Sequence, residues 1–500
     1  MANVIKPVFK ERYGNFIGGK FVDPIKGQYF DNPSPIDGKF FTQAAKSTQE
    51  DVDAALDAAH EAFPTWSKTS ATQKSNMLLK IAQVMEDNLE YLATLETIDN
   101  GKPIRESRAA DIPLCVDHFR YFAGVIRADE GSISEHDKDT VSIVLHEPLG
   151  VVGEIIPWNF PMLMLAWKIA PALAAGNTVV VKPAEQTPTS VMCLMELIGD
   201  ILPAGVLNII TGFGNEAGAA LATSDRIAKL SFTGSTETGR KVYHNAAENI
   251  IPVTMELGGK SPNVFFPSVA DHDDAFFSKA IEGALMFALN QGEICTTPSR
   301  ILVHESIADK FIERMLERIK KIKVGNPLDP ETMLGSQVSQ SQMEKILGYI
   351  KIGKEEGAEV LSGGSAGNYE GDISNGYYIQ PTILKGNNKM RVFQEEIFGP
   401  VVALTTFSST EEAIEIANDT IYGLGAGVWS RDAHELFQVP KAIQAGRVWV
   451  NQYNTYPAHA PFGGVKKSGF GRENHKLALD HYRQVKNMLV SYDKEPVGFF

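Results

Sequence analysis

A thiol and a carboxylate well separated along the chain are the side chains best suited to covalent chemistry. Cys295 lies in Asn290-Gln291-Gly292-Glu293-Ile294-Cys295-Thr296-Thr297, a polar, glycine-containing stretch after a long apolar helical pattern. A thiolate there would attack an electrophilic carbonyl carbon. Most free cysteines are inert packing residues, and that reading stays open on the local sequence alone. Cys115 and Cys193 stand in helical patterns among apolar neighbours and are assigned to packing. Glu256, in Met255-Glu256-Leu257-Gly258-Gly259-Lys260, closes an otherwise apolar strand pattern. Burial there would be costly and would raise its pKa toward the range of a general base. The alternative is a carboxylate turned outward at the strand end.

Two loops compete to hold a dinucleotide phosphate. Gly212-Phe213-Gly214 with Gly218 follows a strand pattern at 206–210, but its last spacing is one residue too long for G-x-G-x-x-G, and a tight turn is the other reading. Phe232-Thr233-Gly234-Ser235-Thr236-Glu237-Thr238-Gly239 follows a strand pattern at 228–232 and starts a helix well. Gly234 would let the backbone approach a pyrophosphate, whose charge a helix N-terminus favours, unless the motif is only a helix cap. A third strand pattern, 178–182, runs into Lys182-Pro183-Ala184-Glu185. A carboxylate at that place can accept hydrogen bonds from a ribose diol and repel a 2′-phosphate, which favours NAD over NADP. A solvated surface pair is the alternative.

These groups need a frame. Ser47 and Glu50 form a capping box ahead of apolar residues at helical spacing, and the first hundred residues read as largely helical. Short β-branched runs then alternate with helical stretches, at 151–156, 178–182, 206–210, 228–232 and 252–257, which predicts a parallel doubly wound sheet. The alternation restarts with a strand at 263–266, a long helix over about 271–290, a strand at 301–303 and a helix ending near Lys323. Residues 131–147 read as a strand pair, and 484–492 as a strand with no helix after it, together one small protruding sheet. The expected fold is therefore α/β, with two doubly wound parallel-sheet domains, one Rossmann-like and one catalytic, plus a small β domain. The divisions fall at 1–127 with 148–257, at 258–465, and at 128–147 with 480–496.

The bulk composition excludes several classes. The 500 residues are 43% hydrophobic and 22% charged, ordinary for a globular chain of several domains. A net charge of −14 repels nucleic acid and anionic lipid. Three scattered cysteines cannot build a disulfide framework or a zinc knuckle, so no metal is expected and a reducing, cytoplasmic compartment is. The N-terminal MANVIKPVFKERYGNF lacks the apolar core of a leader peptide. The most apolar stretch, 155–175, is interrupted by Pro157, Asn159, Pro161, Lys168 and Pro171, and reads as a buried helix rather than a membrane span.

Taken together the chain resembles the aldehyde dehydrogenase superfamily over nearly its whole length. The resemblance is carried by Pro157-Trp158-Asn159-Phe160-Pro161, Val181-Lys182-Pro183-Ala184-Glu185-Gln186-Thr187-Pro188 and Phe232-Thr233-Gly234-Ser235-Thr236-Glu237. It is carried equally by Met255-Glu256-Leu257-Gly258-Gly259-Lys260-Ser261-Pro262, by the run from Gln291 to Cys295, and by Glu395-Glu396-Ile397-Phe398-Gly399-Pro400-Val401. The C-terminal runs GLGAGVWS, AIQAGRVW and YPAHAPFGG look most like bacterial NAD-dependent acetaldehyde dehydrogenases.

The resemblance implies NAD-dependent oxidation of a small aliphatic aldehyde, acetaldehyde first, to its carboxylate. Cys295 would be the nucleophile, the Asn159 amide and the Cys295 N–H the oxyanion donors, and Glu256 the base that activates water against the thioester. Lys182 and Glu185 would hold the adenine ribose, Gly234 and Ser235 the pyrophosphate, and Glu396 the nicotinamide ribose with Phe398 beside it. Ile156, Pro157, Trp158, Gly214, Gly218, Phe232, Thr233, Gly239 and Leu257 complete the implied cofactor set. The implied substrate tunnel comprises Phe160, Met164, Trp167, Ile294, Thr296, Tyr456 and Phe462, with core packing as the other reading of each. His459, nearby, carries no catalytic assignment. The small sheet corresponds to an oligomerisation domain, giving a homodimer or homotetramer. The competing functions are a CoA-acylating dehydrogenase, against which the acidic Glu256 argues, and a non-catalytic binding or structural protein on the same fold.

Overall fold

The computed structural model describes residues 6–500, so the first five positions of the stretch read as leader-free lie outside the described residues. An eight-stranded sheet runs in the order Gly469–Phe470, Val253–Glu256, Lys229–Thr233, Val151–Ile155, Thr178–Lys182, Leu207–Ile209, Asn15–Ile17, Lys20–Val22. Its five strands between 151 and 256 are parallel, and antiparallel partners close both ends. These are the five expected strands, each within a residue or so of its predicted limits. Val151–Ile155, the first of these five in the chain, sits between Thr178–Lys182 and Lys229–Thr233. The strand order reverses there, and the loops leaving adjacent C-terminal strand ends open the crevice in which such sheets bind ligands.

A second sheet contains Glu359–Ser362, Thr382–Lys385, Val401–Phe407, Arg300–His304, Pro262–Phe265, Gly425–Trp429 and Arg447–Val450 in that order. All neighbours are parallel except the first pair. A third, of Arg483–Ser491, Thr140–Pro148 and Ser132–Asp137, is the expected small sheet. The apolar stretch forms the helix Pro161–Ala175, every residue of which is buried. Among the described residues no helix is long and apolar enough to cross a membrane.

Four expectations are corrected. The first hundred residues do not begin helical: residues 12–45 supply five strands, two of them edging the eight-stranded sheet, before the helix Gln49–Trp66 begins. Three of the five are only two or three residues long, too short to show a period of two. The capping box lies one residue on, at Thr48 and Asp51, with Thr48 N–H donating to Asp51 Oδ2 at 2.9 Å. Asp51 wins because its other oxygen accepts from Ile25 N–H at 2.8 Å, while Ser47 is drawn off to Asn15 at 2.9 Å. The long helix over 271–290 is really Ala275–Leu285 followed by a tighter turn, Met286–Gly292, with non-helical residues inside it. The next helix stops at Ile319, short of Lys323.

Candidate active site

The break in that helix presents the thiol. Asn290, Gln291 and Gly292 have φ of 48°, 45° and 75°, three left-handed residues in succession. Only glycine fits the third position, because a Cβ there would lie 2.1 Å from the Gly399 carbonyl. The other two are held by hydrogen bonds: Asn290 N–H donates to Glu106 Oε2 at 2.8 Å and Gln291 Nε2 to Glu293 Oε2 at 3.2 Å. Cys295 emerges half-buried, whereas Cys115 and Cys193 are buried in helices.

Glu256, at the end of its strand, faces inward. It is 3% exposed, and the Cys295 thiol donates to its Oε1 at 3.4 Å. Burial, then the nearby Glu473 charge, pushes the Glu256 carboxyl up to about 7, with the Lys168 ammonium opposing. Burial and the adjoining Glu256 push the Cys295 thiol well above its ordinary value. The thiol is thus held in its protonated form beside a carboxyl group that burial has shifted toward neutrality. The Glu256 Oε2 atom is buried and has no hydrogen-bond partner among the described residues.

Both groups line one cavity of about 250 Å³. Asn159, 5% exposed, lines it too, and its Nδ2 donates one hydrogen to the Glu293 carbonyl at 2.9 Å, leaving the second free. Pro157, Trp158, Thr233, Gly234, Ser235, Leu257, Glu396 and Phe398 share that wall. Ser235 caps the helix Thr236–Glu248, accepting from Thr238 N–H at 3.1 Å, and Thr233 Oγ1 is buried without a partner among the described residues. Half-buried Glu396 accepts from Gly259 N–H at 3.0 Å, and a Cβ on Gly258 would meet its Oε2 at 2.2 Å. Trp158 packs edge-on against Phe398, centroids 5.2 Å apart.

Residues 21–488 match the family described as the aldehyde dehydrogenase family. The chain belongs to the aldehyde dehydrogenase family. It is 64% identical to a long-chain-aldehyde dehydrogenase of an Acinetobacter species, over 98% of this chain and 97% of the relative. It is 61% identical to acetaldehyde dehydrogenase 2 of Cupriavidus necator over the same shares. The NAD+ complex of an aldehyde dehydrogenase from Bacillus cereus superposes with a TM-score of 0.92 at 41% identity, covering 97% of each chain.

In this aldehyde dehydrogenase chain the remaining candidates fall into two groups. Phe160, Met164, Trp167, Ile294, Tyr456 and Phe462 line the same cavity, with the Trp167 and Phe462 rings 5.3 Å apart and Tyr456 and Phe462 5.6 Å apart. Thr296 stands behind this wall, its hydroxyl bonded to that of Tyr456, and His459 is exposed outside it. Ile156, Lys182, Glu185, Gly214, Gly218, Phe232 and Gly239 are also outside the wall. Lys182 is not a solvated surface residue: it is 2% exposed, with Glu185 at 2.9 Å. The turn Gly214–Gly218 abuts its stem, a Cβ on Gly218 falling 3.9 Å from Lys182 Cδ. Phe232 packs under Gly234, and Gly239 lets the helix approach Leu257.

Sequence reading passed over Glu106, Asp111, Leu114, Gln342, Lys345 and Asn454, all in the cavity wall. It also missed the buried Lys168–Glu473 ion pair at 2.7 Å. Lys168 did carry a signal, since a lone charge inside an apolar helix needs a buried partner.

Proposed function

We propose that this chain oxidises a small aliphatic aldehyde, acetaldehyde first, to its carboxylate with NAD, through a thiohemiacetal and then a thioester on Cys295. The observation that carries the reading is the Cys295–Glu256 contact of 3.4 Å on the wall of a cavity shared with Asn159 and Ser235. The residues present fit the dinucleotide. The unpartnered Thr233 hydroxyl and the helix start at Ser235 suit a phosphate, the half-buried Glu396 suits a ribose diol, and Lys182 with Glu185 suits the second ribose.

Glu256 takes the proton of the Cys295 thiol, and the thiolate attacks the aldehyde carbon. The new oxyanion is stabilised by the free N–H of the Asn159 side chain together with the Cys295 backbone N–H. NAD, when bound, supplies the acceptor for the hydride released as the adduct collapses to the thioester. Once that thiol proton has passed from Glu256 to solvent, the carboxylate draws a proton from water, whose oxygen attacks the acyl carbon; the C–S bond breaks, the sulfur takes the proton from Glu256 and the acid leaves. The apolar wall of Trp167, Tyr456 and Phe462 suits an uncharged alkyl group.

The division of labour we propose gives 1–127 with 148–257 to the cofactor, 258–465 to catalysis, and 128–147 with 480–496 to assembly. Ile133, Leu145, Met488 and Val490 are exposed on one face of the small sheet, with Ile133 and Met488 both paired to Ile143 in one row. Such a face and its free strand edges support a homodimer or homotetramer, read directly by light scattering. Three free cysteines suit a reducing, cytoplasmic setting.

The test is an aldehyde panel followed by NADH absorbance, with NADP and CoA as controls. Acetaldehyde oxidised to acetate with NAD and no CoA supports the reading. No turnover of any aldehyde, or turnover only with CoA, refutes it.

A further inference from the structure

One short turn, far from Cys295 along the chain, touches both sides of the reacting centre. Lys102 has no exposed surface. Its Nζ donates to Asp111 Oδ2 at 2.5 Å and to the Asn159 carbonyl at 2.9 Å, and lies 3.9 Å from the centroid of the Phe160 ring. Four residues on, Glu106 accepts the Asn290 N–H at 2.8 Å. The two gripped segments are themselves laced together: Asn159 Nδ2 and Asn290 Nδ2 both donate to the Glu293 carbonyl, at 2.9 Å and 3.1 Å.

We propose that Lys102 and Glu106 are positioning residues, the lysine fixing the peptide that carries Asn159 and the glutamate fixing the left-handed turn that carries Cys295. The proposal rests on the roles given above to Asn159 and Cys295. A buried ion pair is poor value for stability, since well-packed apolar residues of similar size usually serve as well. What charge adds here is location. With Lys102 on its carbonyl, the peptide after Asn159 cannot rotate, and the side-chain amide is held where an oxyanion will form. Without an acceptor at Glu106, the Asn290 N–H would be buried unpaired, and a residue already in the left-handed region would lose the bond that keeps it there. The thiol, five residues further, would then be free to drift.

Two series test this. Lys102→Met keeps the stem over Phe160 and removes the ammonium. In single turnovers with NAD and acetaldehyde it should slow hydride transfer about 10- to 100-fold, as the loss or misplacement of an oxyanion donor does, with NAD affinity within about twofold of the unsubstituted chain. Because Lys102 acts through Asn159, it should add nothing to Asn159→Ala. A rate within about twofold of the unsubstituted chain, or an equal loss in both backgrounds, overturns the lysine's role. In the second series Cys295 is alkylated with iodoacetamide. Glu106→Ala should slow alkylation about tenfold or more, and Glu106→Gln, whose carbonyl oxygen still accepts from Asn290, should restore it. Equal alkylation of Glu106→Ala and the unsubstituted chain overturns the glutamate's role. Alkylation needs neither aldehyde nor cofactor, so it decides even if Lys102→Met does not fold. A chain that alkylates as expected yet oxidises no aldehyde sinks the proposed function and leaves the Glu106 brace standing.

Discussion

The Cys295 thiol and the Glu256 carboxylate are 3.4 Å apart although 39 residues separate them. The strand Val253–Glu256 belongs to one sheet, and the segment bearing Cys295 hangs between two strands of another. Their meeting is therefore a product of how the two sheets abut. In the mechanism proposed above, that contact gives one carboxylate two duties, first toward sulfur and later toward water.

The two duties separate in Glu256→Gln. The amide cannot take a proton from water, so a single addition of aldehyde and NAD should give a burst of about one NADH per active site and then stall with the acyl group on Cys295. Steady turnover is expected to drop by about 100-fold or more. Intact mass spectrometry of the stalled protein should show the acyl adduct. Steady turnover at the unsubstituted rate would remove Glu256 from the hydrolytic step.

The same contact governs pH dependence. Only the ionised carboxylate is a base, and its pKa is about 7, so acyl-enzyme hydrolysis should fall as pH drops through 7 and level off above it. The thiol shows the reciprocal effect. An ionised Glu256 raises the Cys295 pKa, so Glu256→Gln should move the alkylation profile of Cys295 to lower pH. A shift to higher pH would mean that the carboxylate activates the thiol more than it repels the thiolate.

Much of this site was legible because its strands are buried on both faces and read as continuous β-branched runs, from which the crevice at their C-terminal ends follows. Thr233, Gly234 and Ser235 could be found that way. Glu106, Leu114 and Lys345 could not, since each stands in an ordinary helical or polar context and reaches the cavity only through tertiary packing. Asn290 and Gln291 hid the break in their helix, because neither is a residue that demands a left-handed turn. At the capping box, Ser47 with Glu50 and Thr48 with Asp51 are overlapping versions of one motif, distinguished only by tertiary partners, the Ile25 N–H on Asp51 and Asn15 on Ser47.

Cofactor choice should turn on Glu185. Its carboxylate is held by Lys182 at 2.9 Å, where it would accept from a ribose diol and repel a 2′-phosphate. Removing that repulsion with Glu185→Ser should lower the preference for NAD over NADP by about tenfold or more, as expected for like charges separated by a few ångströms near a protein surface. Values of kcat/KM for the two cofactors measure it. An unchanged ratio would place the discriminating group elsewhere.

Two glycines with opposite surroundings test whether the left-handed turn holds the thiol in place. At Gly292 the backbone has φ of 75° and a Cβ would lie 2.1 Å from the Gly399 carbonyl, so Gly292→Ala must displace main chain on one side or the other. The conformation alone costs about 1–2 kcal/mol for a residue with a Cβ, before any clash. The melting temperature should fall, and activity should fall by about 100-fold or more, because Cys295 moves with the turn. At Gly348, inside the helix Gln340–Glu355, a Cβ would meet nothing within 4 Å, and Gly348→Ala should stabilise by up to about 1 kcal/mol with activity unchanged. If Gly292→Ala melts and turns over like Gly348→Ala, the turn is not what positions the thiol.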